Sequence, residues 1–346
     1  MEKKFSLISV ALILVLCLTL VAGCGQKTDK KETTDESLKA VELTVAGQDP
    51  EDHPNTIALR ELKERVEKET DGRIKMSIYP ANQLGDYTTM YEEVMKGSID
   101  MALINVPSQY EPRMEFLYVP YLATSYEEVP QIYSRDSVVG KEFAKLNEES
   151  GVKWLGFSMS GCVGIATTKE MSNPTDFGAD KGVMIRIPGM DIFKHHMSDF
   201  GFRTVTIPYA ELYTALQTGV ADGCIGTSPL DTYSTVKDVI DYYYLYNVFF
   251  DCMSYVANME KFSSLELQDQ QLIIDICDEL SKRSVSAAIE RDKKYLNLLE
   301  DNGVEIVEFK QEELEALAKA TREISWPKMY ERLSEELMNT LRQGLE

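Results

Sequence analysis

The fold is decided by three short runs in the first third of the chain: VELTVA (41–46), IKMSIY (74–79) and IDMALIN (99–105). Each run is largely apolar and has the length of a single strand. Between them lie two stretches with apolar residues at helical spacing, the first beginning at Pro54 and the second ending at Gly97. The order β-α-β-α-β predicts a parallel sheet with right-handed crossovers.

The same alternation returns later in the chain. Further strands are predicted at 152–159, 164–168, 183–187, 222–225, 242–246 and 252–258. A long helical stretch is expected over about 264–301, and another over 311–342 with a kink or break at Trp326-Pro327. The chain is therefore predicted to be an α/β protein with two lobes, a cleft between them and long C-terminal helices.

No Pro- or Ser-rich linker separates the two α/β units, so the chain is expected to cross between them several times. Lobe I is predicted to comprise residues 41–160 plus about 251–290, and lobe II residues 161–250 plus about 291–346. Lobes joined by several segments form a hinge, and the cleft of a hinged protein is a preferred site for a small molecule.

The N-terminus has the pattern of a secretory signal peptide. Lys3 and Lys4 precede the uncharged run FSLISVALILVLCLTLV (5–21), and Val-Ala-Gly leads to Cys24. This ending resembles the lipobox of bacterial lipoproteins, which implies a signal peptide of residues 1–23 and a lipid on Cys24. Residues 24–40 are predicted to be a flexible tether. The alternative is an uncleaved membrane anchor, and both interpretations place the body outside the cytoplasm, at the outer face of the cell membrane.

The charge balance excludes some partners. The chain has 57 acidic against 36 basic side chains and a formal net charge of −21. Binding to nucleic acid requires clustered Lys and Arg that neutralise phosphates, so no nucleic-acid partner is expected. A basic patch for anionic lipid is equally absent from the sequence. An anionic ligand would have to be held by local cations against the overall field.

No metal site or cofactor is predicted. The cysteines of the body are far apart, with no CxxC pair, and buried thiols are expected at Cys162, Cys224, Cys252 and Cys277. His195 and His196 are adjacent, and neighbouring helical positions point in different directions. His53 precedes Pro54 at a β-to-α turn, where it could line a site or simply be an exposed loop residue.

The sequence also lacks the signatures of an enzyme. It contains no GxSxG, HExxH, GxxxxGK[ST] or GxGxxG motif after a strand. No pair of residues has the spacing of a nucleophile and its base. An extracytoplasmic lyase or hydrolase is therefore the weaker hypothesis, and turnover of a bound ligand would be its evidence.

Arg186 is the residue that points most directly to a ligand. It lies in VMIRI (183–187), an otherwise apolar strand, just before Pro188-Gly189. Ligands of open α/β sheets bind at the carboxyl ends of strands, and a guanidinium there presents a planar fork to a carboxylate. The alternative is an edge-strand Arg paired with a surface Glu.

Four segments resemble the DctP-type solute receptors of tripartite ATP-independent periplasmic (TRAP) transporters. They are ERVEKETDGRIKMSIYPANQLGD (64–86), EEVMKGSIDMAL (92–103), KGVMIRIPG (181–189) and ELYTALQTGVADG (211–223). The resemblance extends over about 41–303. It implies a periplasmic-binding-protein-like fold and a receptor that captures a small organic acid and delivers it to TRAP membrane permease subunits driven by an ion gradient.

The resemblance also implies the site. Arg186 matches the residue that holds the ligand carboxylate, and Tyr209 matches an aromatic residue that stacks on the ligand. The other positions expected in the ligand site are Gln48, His53, Tyr87, Asn105, Gly226, Thr227, Ser228 and Asn247. Sialic-acid-binding members have a second Arg where this chain has Gly161-Cys162-Val163. The resemblance therefore favours a smaller or more apolar monocarboxylate, with Tyr209 and Phe157 as aromatic neighbours.

Two related functions remain open from the sequence. One is a substrate-binding lipoprotein of an ABC transporter, which also has two lobes; the block at 211–223 argues against it. The other is a ligand sensor that acts on a signalling protein, because its binding chemistry would be identical.

Overall fold

The structure is a computed structural model that describes residues 39–343, without the side chains of residues 342 and 343. The predicted signal peptide, Cys24 and the tether up to residue 38 lie outside the described residues. Within the described part of the chain, no helix is both long enough and apolar enough to cross a bilayer.

Strands and helices alternate along most of the described chain. The strands are β1 (Val41–Gly47), β2 (Ile74–Tyr79), β3 (Met101–Ile104), β4 (Val152–Cys162), β5 (Ile165–Thr167), β6 (Met184–Ile187), β7 (Arg203–Thr206), β8 (Gly223–Ile225), β9 (Tyr242–Tyr244), β10 (Phe250–Asn258) and β11 (Glu305–Val307). The α-helices are α1 (Pro54–Glu69), α2 (Tyr87–Lys96), α3 (Val129–Ile132), α4 (Val138–Glu149), α5 (Asp191–Phe200), α6 (Leu212–Gln217), α7 (Pro229–Val236), α8 (Met259–Ser263), α9 (Leu267–Asp301), α10 (Gln311–Ile324), α11 (Trp326–Leu333) and α12 (Glu335–Gln343). Two 3-10 helices cover Pro112–Tyr118 and Tyr209–Glu211.

The strands form two sheets. The first has the order β2-β1-β3-β10-β4, and the second has the order β11-β9-β5-β8-β6-β7. In the first sheet β1 is parallel to both β2 and β3, as the sequence predicts, whereas β10 is antiparallel to its neighbours β3 and β4. In the second sheet β6 is parallel to β7 and β8. The predicted two-sheet α/β architecture is confirmed.

The chain passes between the sheets three times. One pass, from β10 to β11, runs through helix α9, and the other two, from β4 to β5 and from β9 to β10, are adjacent segments. Backbone hydrogen bonds join these two segments: Val163 N–H donates to the Phe249 carbonyl at 2.8 Å, and Val248 N–H donates to the Val163 carbonyl at 2.9 Å. Helix α9 packs against β4 of the first sheet, against β11 of the second sheet and against α7. These connections fix where the strand ends of both sheets meet.

Helix α9 is held to the end of β4 by two adjacent side chains, the half-buried Arg291 and the buried Asp292. The Arg291 guanidinium donates to the Ser160 carbonyl through Nε at 3.1 Å and Nη2 at 3.0 Å. The Asp292 carboxylate accepts the Cys162 backbone N–H at 2.8 Å and the Tyr126 hydroxyl. Burial raises the pKa of Asp292 to about 6, although both hydrogen bonds act in the opposite direction.

The C-terminal region departs from the sequence prediction in detail. The expected break at Trp326-Pro327 is present at Ser325, and a second break at Ser334, where φ is 69°, separates α11 from α12. Helix α11 packs against the 3-10 helix Pro112–Tyr118 and α12 packs against α4. Helices α4 and α7 were not expected from the sequence, although Val139, Phe143 and Leu146 of α4 have the spacing of one helix face.

Tyr209, Leu212, Tyr213 and Leu216 have the i, i+3, i+4, i+7 spacing of one buried helix face, and this expectation from the sequence is wrong at one position. Leu212 and Leu216 are buried, but Tyr213 is 37% exposed. Tyr209 lies in a 3-10 turn that precedes α6, and i, i+3 positions eclipse one another in that geometry. Tyr209 nevertheless packs on the same core cluster as Leu212 and Leu216, so only Tyr213 departs from the expected face.

The first prediction concerns Gly164, which lies in the β4-to-β5 crossing. A Cβ at this position would be 2.5 Å from the Tyr244 carbonyl oxygen and 2.8 Å from the Tyr243 ring. Because backbone cannot move aside cheaply, we expect Gly164→Ala to lower the free energy of unfolding by about 1–3 kcal/mol. Urea unfolding followed by circular dichroism measures this change.

The matched control is Gly189→Ala. A Cβ there would have Thr206 Cγ2 at 3.9 Å as its nearest neighbour. We expect this variant to stay within about 0.5 kcal/mol of the wild type. Equal stabilities for the two variants would contradict the tight packing assigned to the crossing.

Candidate ligand-binding site

A small cavity lies where the carboxyl ends of strands from both sheets converge. Gln48, Asn105, Pro188 and Gly226 directly follow β1, β3, β6 and β8, and all four line it. The space open to the centre of a water molecule is about 40 Å³. The remaining lining residues are Tyr87, Tyr118, Arg186, Met190, Phe193, Tyr209, Asp231, Phe249, Asp251 and Met253.

Arg186 is the cation of this cavity. Its side chain is on β6 and is only 2% exposed. Its Nε donates to the Ile207 carbonyl at 2.8 Å. Within residues 39–343, its two terminal nitrogens have no hydrogen-bond acceptor and no carboxylate partner. Burial lowers the pKa of the guanidinium, which shows that the charged form loses hydration that the protein does not replace.

The first sheet contributes a polar wall. The side chains of Gln48 and Asn105 hold each other: Gln48 Nε2 donates to Asn105 Oδ1 at 2.9 Å, and Asn105 N–H donates to Gln48 Oε1 at 3.0 Å. Asn105 Nδ2 lies 3.3 Å from both the Tyr118 hydroxyl and Asp251 Oδ1. These contacts fix the two amides and leave the wall rich in hydrogen-bonding groups.

Aromatic rings form much of the remaining surface. Tyr118, Phe193 and Phe249 pack on one another with centroid separations of 5.3–5.7 Å. The Tyr209 hydroxyl is paired with Thr235 Oγ1 at 3.0 Å, which fixes its ring beside the cavity. Ring faces of this kind cover flat or apolar parts of a ligand.

A buried Asp–His–Asp group lies behind the cavity. His53 Nδ1 is 3.1 Å from Asp49 Oδ2, and His53 Nε2 is 3.2 Å from Asp231 Oδ1. Burial lowers the pKa of His53, but the two carboxylates outweigh it and the net pKa is raised. Burial raises the pKa of Asp49 to about 6, partly offset by the charge of His53. Burial also raises the pKa of Asp231, but the contact with His53 outweighs burial, so the net pKa of Asp231 is lowered.

The same three residues carry the donor atoms that a metal site uses. One donor atom from each of Asp49, His53 and Asp231 lies within 4.8 Å of the others. The carboxylates, however, face opposite nitrogens of the imidazole, whereas one ion would need both beside a single nitrogen. The geometry fits a histidine shared by two acids better than a metal centre.

Residues 45–333 match a family described as DctP, bacterial extracellular solute-binding protein, family 7. The chain belongs to this family. It is 24% identical over 276 residues to the 2,3-diketo-L-gulonate-binding periplasmic protein YiaO of Escherichia coli K12, with 78% of this chain and 82% of that protein covered. The chain is therefore an extracellular solute-binding protein, and the expectation of a receptor instead of an enzyme is confirmed.

Solved structures of TRAP periplasmic solute-binding proteins share the fold. One from Desulfovibrio salexigens with bound orotic acid has a TM-score of 0.79 at 20% identity, covering 88% of this chain and 98% of that chain. One from Haemophilus influenzae with bound L-gulonate has a TM-score of 0.78 at 21% identity, covering 88% and 99%. The predicted fold class is confirmed by these matches.

Six of the ten predicted ligand residues line the cavity of this DctP-family chain: Gln48, Tyr87, Asn105, Arg186, Tyr209 and Gly226. His53 and Ser228 do not line it, but both hydrogen-bond to Asp231, which does. Thr227 pairs with the Thr232 hydroxyl at 2.8 Å. Asn247 lines a different groove, beside α10, and Phe157 packs in the core against Trp154.

Several lining residues were not predicted from the sequence. Asp251 is the most informative, because it interrupts an apolar strand, FFDCMSYVAN (249–258), in the same way that Arg186 interrupts its own strand. That signal was available in the sequence. The aromatic residues Tyr118, Phe193 and Phe249 carry no such signal, because an aromatic residue in an apolar run is indistinguishable from a core residue.

The second prediction uses the pH dependence of stability. Because the net pKa of His53 is raised in the folded state, its ion pairs stabilise the fold below the unfolded pKa of about 6.5 and lose this effect as the pH rises through the folded pKa. His53→Asn removes the imidazole but keeps a side-chain acceptor for the Asn55 N–H, a bond that Nδ1 accepts only when the imidazole is neutral and gives up when it is charged and donates to Asp49. We expect this variant to lose more thermal stability at pH 6 than at pH 9.

Thermal unfolding of both proteins across this pH range measures the effect. A stability difference that is constant from pH 6 to pH 9, or larger at pH 9, would contradict a charged His53.

Proposed function

We propose that this receptor captures a small organic acid with one carboxylate, held by a salt bridge to Arg186. The observation that carries the proposal is the buried guanidinium whose terminal nitrogens have no partner in the described part of the chain. A carboxylate is the planar, doubly accepting anion that fits such a fork. The acids named in the related structures, orotic acid and L-gulonate, belong to the same chemical class.

The guanidinium of Arg186 is desolvated before any ligand binds. Arg186 has already lost its water on folding, so an incoming carboxylate gains the attraction of a low-dielectric site while only the ligand still has to be dehydrated. The overall charge of −21 opposes an anion only weakly, because exposed charges are screened within about 10 Å in salt. Local charge therefore decides which ligand binds.

The cavity size favours a small ligand. The space open to the centre of a water molecule is about 40 Å³, so the cavity is narrow and suits a small ligand. The absence of a second Arg at Gly161-Cys162-Val163 disfavours a large polyhydroxylated acid that would need two cationic contacts. We propose that Tyr87 and Tyr209 cover the body of the ligand and that Gln48, Asn105 and Gly226 complete the wall.

Capture requires opening and closing. We propose that residues 41–160 plus about 251–290 and residues 161–250 plus about 291–346 act as two lobes, hinged at the paired crossing segments near Val163 and Val248. A ligand that contacts Arg186 from one sheet and Asn105 from the other favours the closed form by its differential contacts. The closed receptor is then recognised by TRAP permease subunits, which use an ion gradient.

The remaining predicted residues are assigned to support roles. Ser228 caps α7 by accepting the Asp231 N–H at 3.2 Å, and it donates its hydroxyl to Asp231 Oδ2 at 2.6 Å. Together with His53, it fixes the carboxylate of Asp231 at the edge of the cavity. We propose that Thr227, Ser228 and His53 position Asp231 and do not contact the ligand.

The third prediction tests the anchor. Arg186→Met removes the charge and fills most of the volume with an apolar side chain. We expect ligand affinity to fall at least about a hundredfold, because the charge-assisted contacts are lost. The melting temperature should stay equal or rise, since the empty wild type holds an uncompensated buried cation. Isothermal titration and thermal unfolding measure the two effects.

Arg203→Met is the matched control, on the neighbouring strand β7 with an exposed side chain. It should bind like the wild type. If Arg186→Met kept an affinity within threefold of the wild type, the carboxylate anchor would have to be abandoned.

The fourth prediction concerns the N-terminus. We propose that the protein is exported, cleaved before Cys24 and anchored to the outer face of the membrane by lipid on that residue. Mass spectrometry of the membrane-bound wild type should find Cys24 as the first residue, carrying the added mass of acyl chains. A chain that begins at Met1 with Cys24 unmodified would favour the uncleaved membrane anchor.

A further inference from the structure

Asp251 is a buried acid for which the fold supplies no counter-ion. It lies on β10 of the first sheet, is 5% exposed and lines the same cavity as Arg186. Asn105 Nδ2 is 3.3 Å from its Oδ1, and no Lys, Arg or His nitrogen in the described residues lies within 4 Å of its carboxylate. A shift in strand register between Asp251 and Cys252 interrupts the pairing of β10 with β4 at this point, as bulges beside binding sites do.

The second acid of the cavity is in a different situation. Both oxygens of Asp231 already have partners, since Oδ1 faces His53 Nε2 at 3.2 Å and Oδ2 accepts the Ser228 hydroxyl at 2.6 Å. The charge of Asp231 is therefore already paired within the protein. Asp251 has only an amide and a backbone N–H of Cys252 as donors, so it is the acid that remains available to a ligand.

The cavity thus contains one cation and one acid that the fold leaves without ionic partners. They belong to different sheets, and they do not pair with each other although both line the same space. We propose that the ligand bridges them: its carboxylate binds Arg186, and a hydrogen-bond donor at its other end, a hydroxyl or an ammonium group, binds Asp251. This inference rests on the proposed function and narrows it to hydroxy or amino monocarboxylic acids.

The surroundings of Asp251 explain why a donor is preferred. Its charged neighbours are Asp231 and Asp49, which are acids, and the other titratable groups facing it are Tyr118, Tyr133 and Cys252. Burial and the two acids raise the pKa of Asp251 to about 8. A hydroxyl or an ammonium group donates to the carboxyl oxygens of Asp251, whereas an acid that ends in a methyl group leaves them unsatisfied in the closed cavity. A second carboxylate would add a negative charge near Asp231 and Asp49.

The two donor types are distinguishable by proton exchange. At pH 7 the empty site holds a proton on Asp251, because its pKa is about 8. An ammonium group binds the ionised form best, so its binding transfers that proton to the buffer. A hydroxyl group binds the neutral acid without transfer. Titration calorimetry in two buffers of different ionisation enthalpy separates these cases.

The test uses three ligand series of three to six carbons: straight-chain monocarboxylates, ω-hydroxy acids and ω-amino acids. The proteins are the wild type, Asp251→Asn, Asp251→Leu and the control Asp275→Asn, which alters an exposed acid of α9. For the wild type and the control, the best ligand with a donor should bind at least about tenfold more tightly than the acid of the same length without one.

The variants identify the contact. In both Asp251 variants, an ω-amino acid should bind no more than about threefold more tightly than the monocarboxylate of the same length, because both substitutions remove the negative charge that pairs with the ammonium group. An ω-hydroxy acid should still bind more tightly than the monocarboxylate of the same length in Asp251→Asn, which keeps a hydrogen-bond acceptor. This difference in affinity should disappear in Asp251→Leu. Thermal unfolding of each variant reports whether it is folded, and the Asn variant supplies the result if the Leu variant is not.

The outcomes separate the two proposals. Equal wild-type affinities with and without a donor, and the same equality in Asp251→Asn, would overturn the bridging inference while leaving an Arg186-dependent acid receptor in place. Failure of every acid in the panel to bind the wild type, together with a co-purified ligand that mass spectrometry shows to lack a carboxylate, would overturn the proposed function itself.

Discussion

The site depends on one physical constraint, the burial of the Arg186 guanidinium without an anion. Strand β6 carries it between β7 and β8, and a single backbone carbonyl, that of Ile207, accepts one of its five N–H groups. A buried unpaired charge is costly, and folded proteins retain such groups mainly where a ligand or partner completes them. The empty protein is thus destabilised by the dehydrated guanidinium, and an anionic ligand that pairs with it relieves this cost on binding.

The surrounding fold leaves a cavity in which a ligand can pair with Arg186 and offset the free-energy cost of burying it. Strands β1 and β3 of one sheet and β6 and β8 of the other end at the same cavity, because the paired crossing segments hold the two sheets there. The acids of the site are kept from neutralising Arg186 by different means. Asp49 and Asp231 share His53, whereas Asp251 is held on the first sheet by Asn105.

Much of the fold could be predicted from the sequence, because strand and helix periods are local. The parallel β1, β2 and β3 follow from apolar runs separated by helical spacing, and Arg186 was noticeable as a single charge in an apolar strand. The exposure of Tyr213 was not predictable, because the spacing of apolar residues does not show that a 3-10 turn precedes α6. Asn247 could not be placed either, since its position beside α10 depends on long-range packing.

The most direct measurement is a crystal structure of the protein with the ligand that co-purifies with it. The account predicts a carboxylate with both oxygens about 2.7–2.9 Å from the terminal nitrogens of Arg186, in a bidentate arrangement. A ligand that leaves Arg186 without an anionic partner, or whose carboxylate is held by other groups of the cavity, would contradict the central claim.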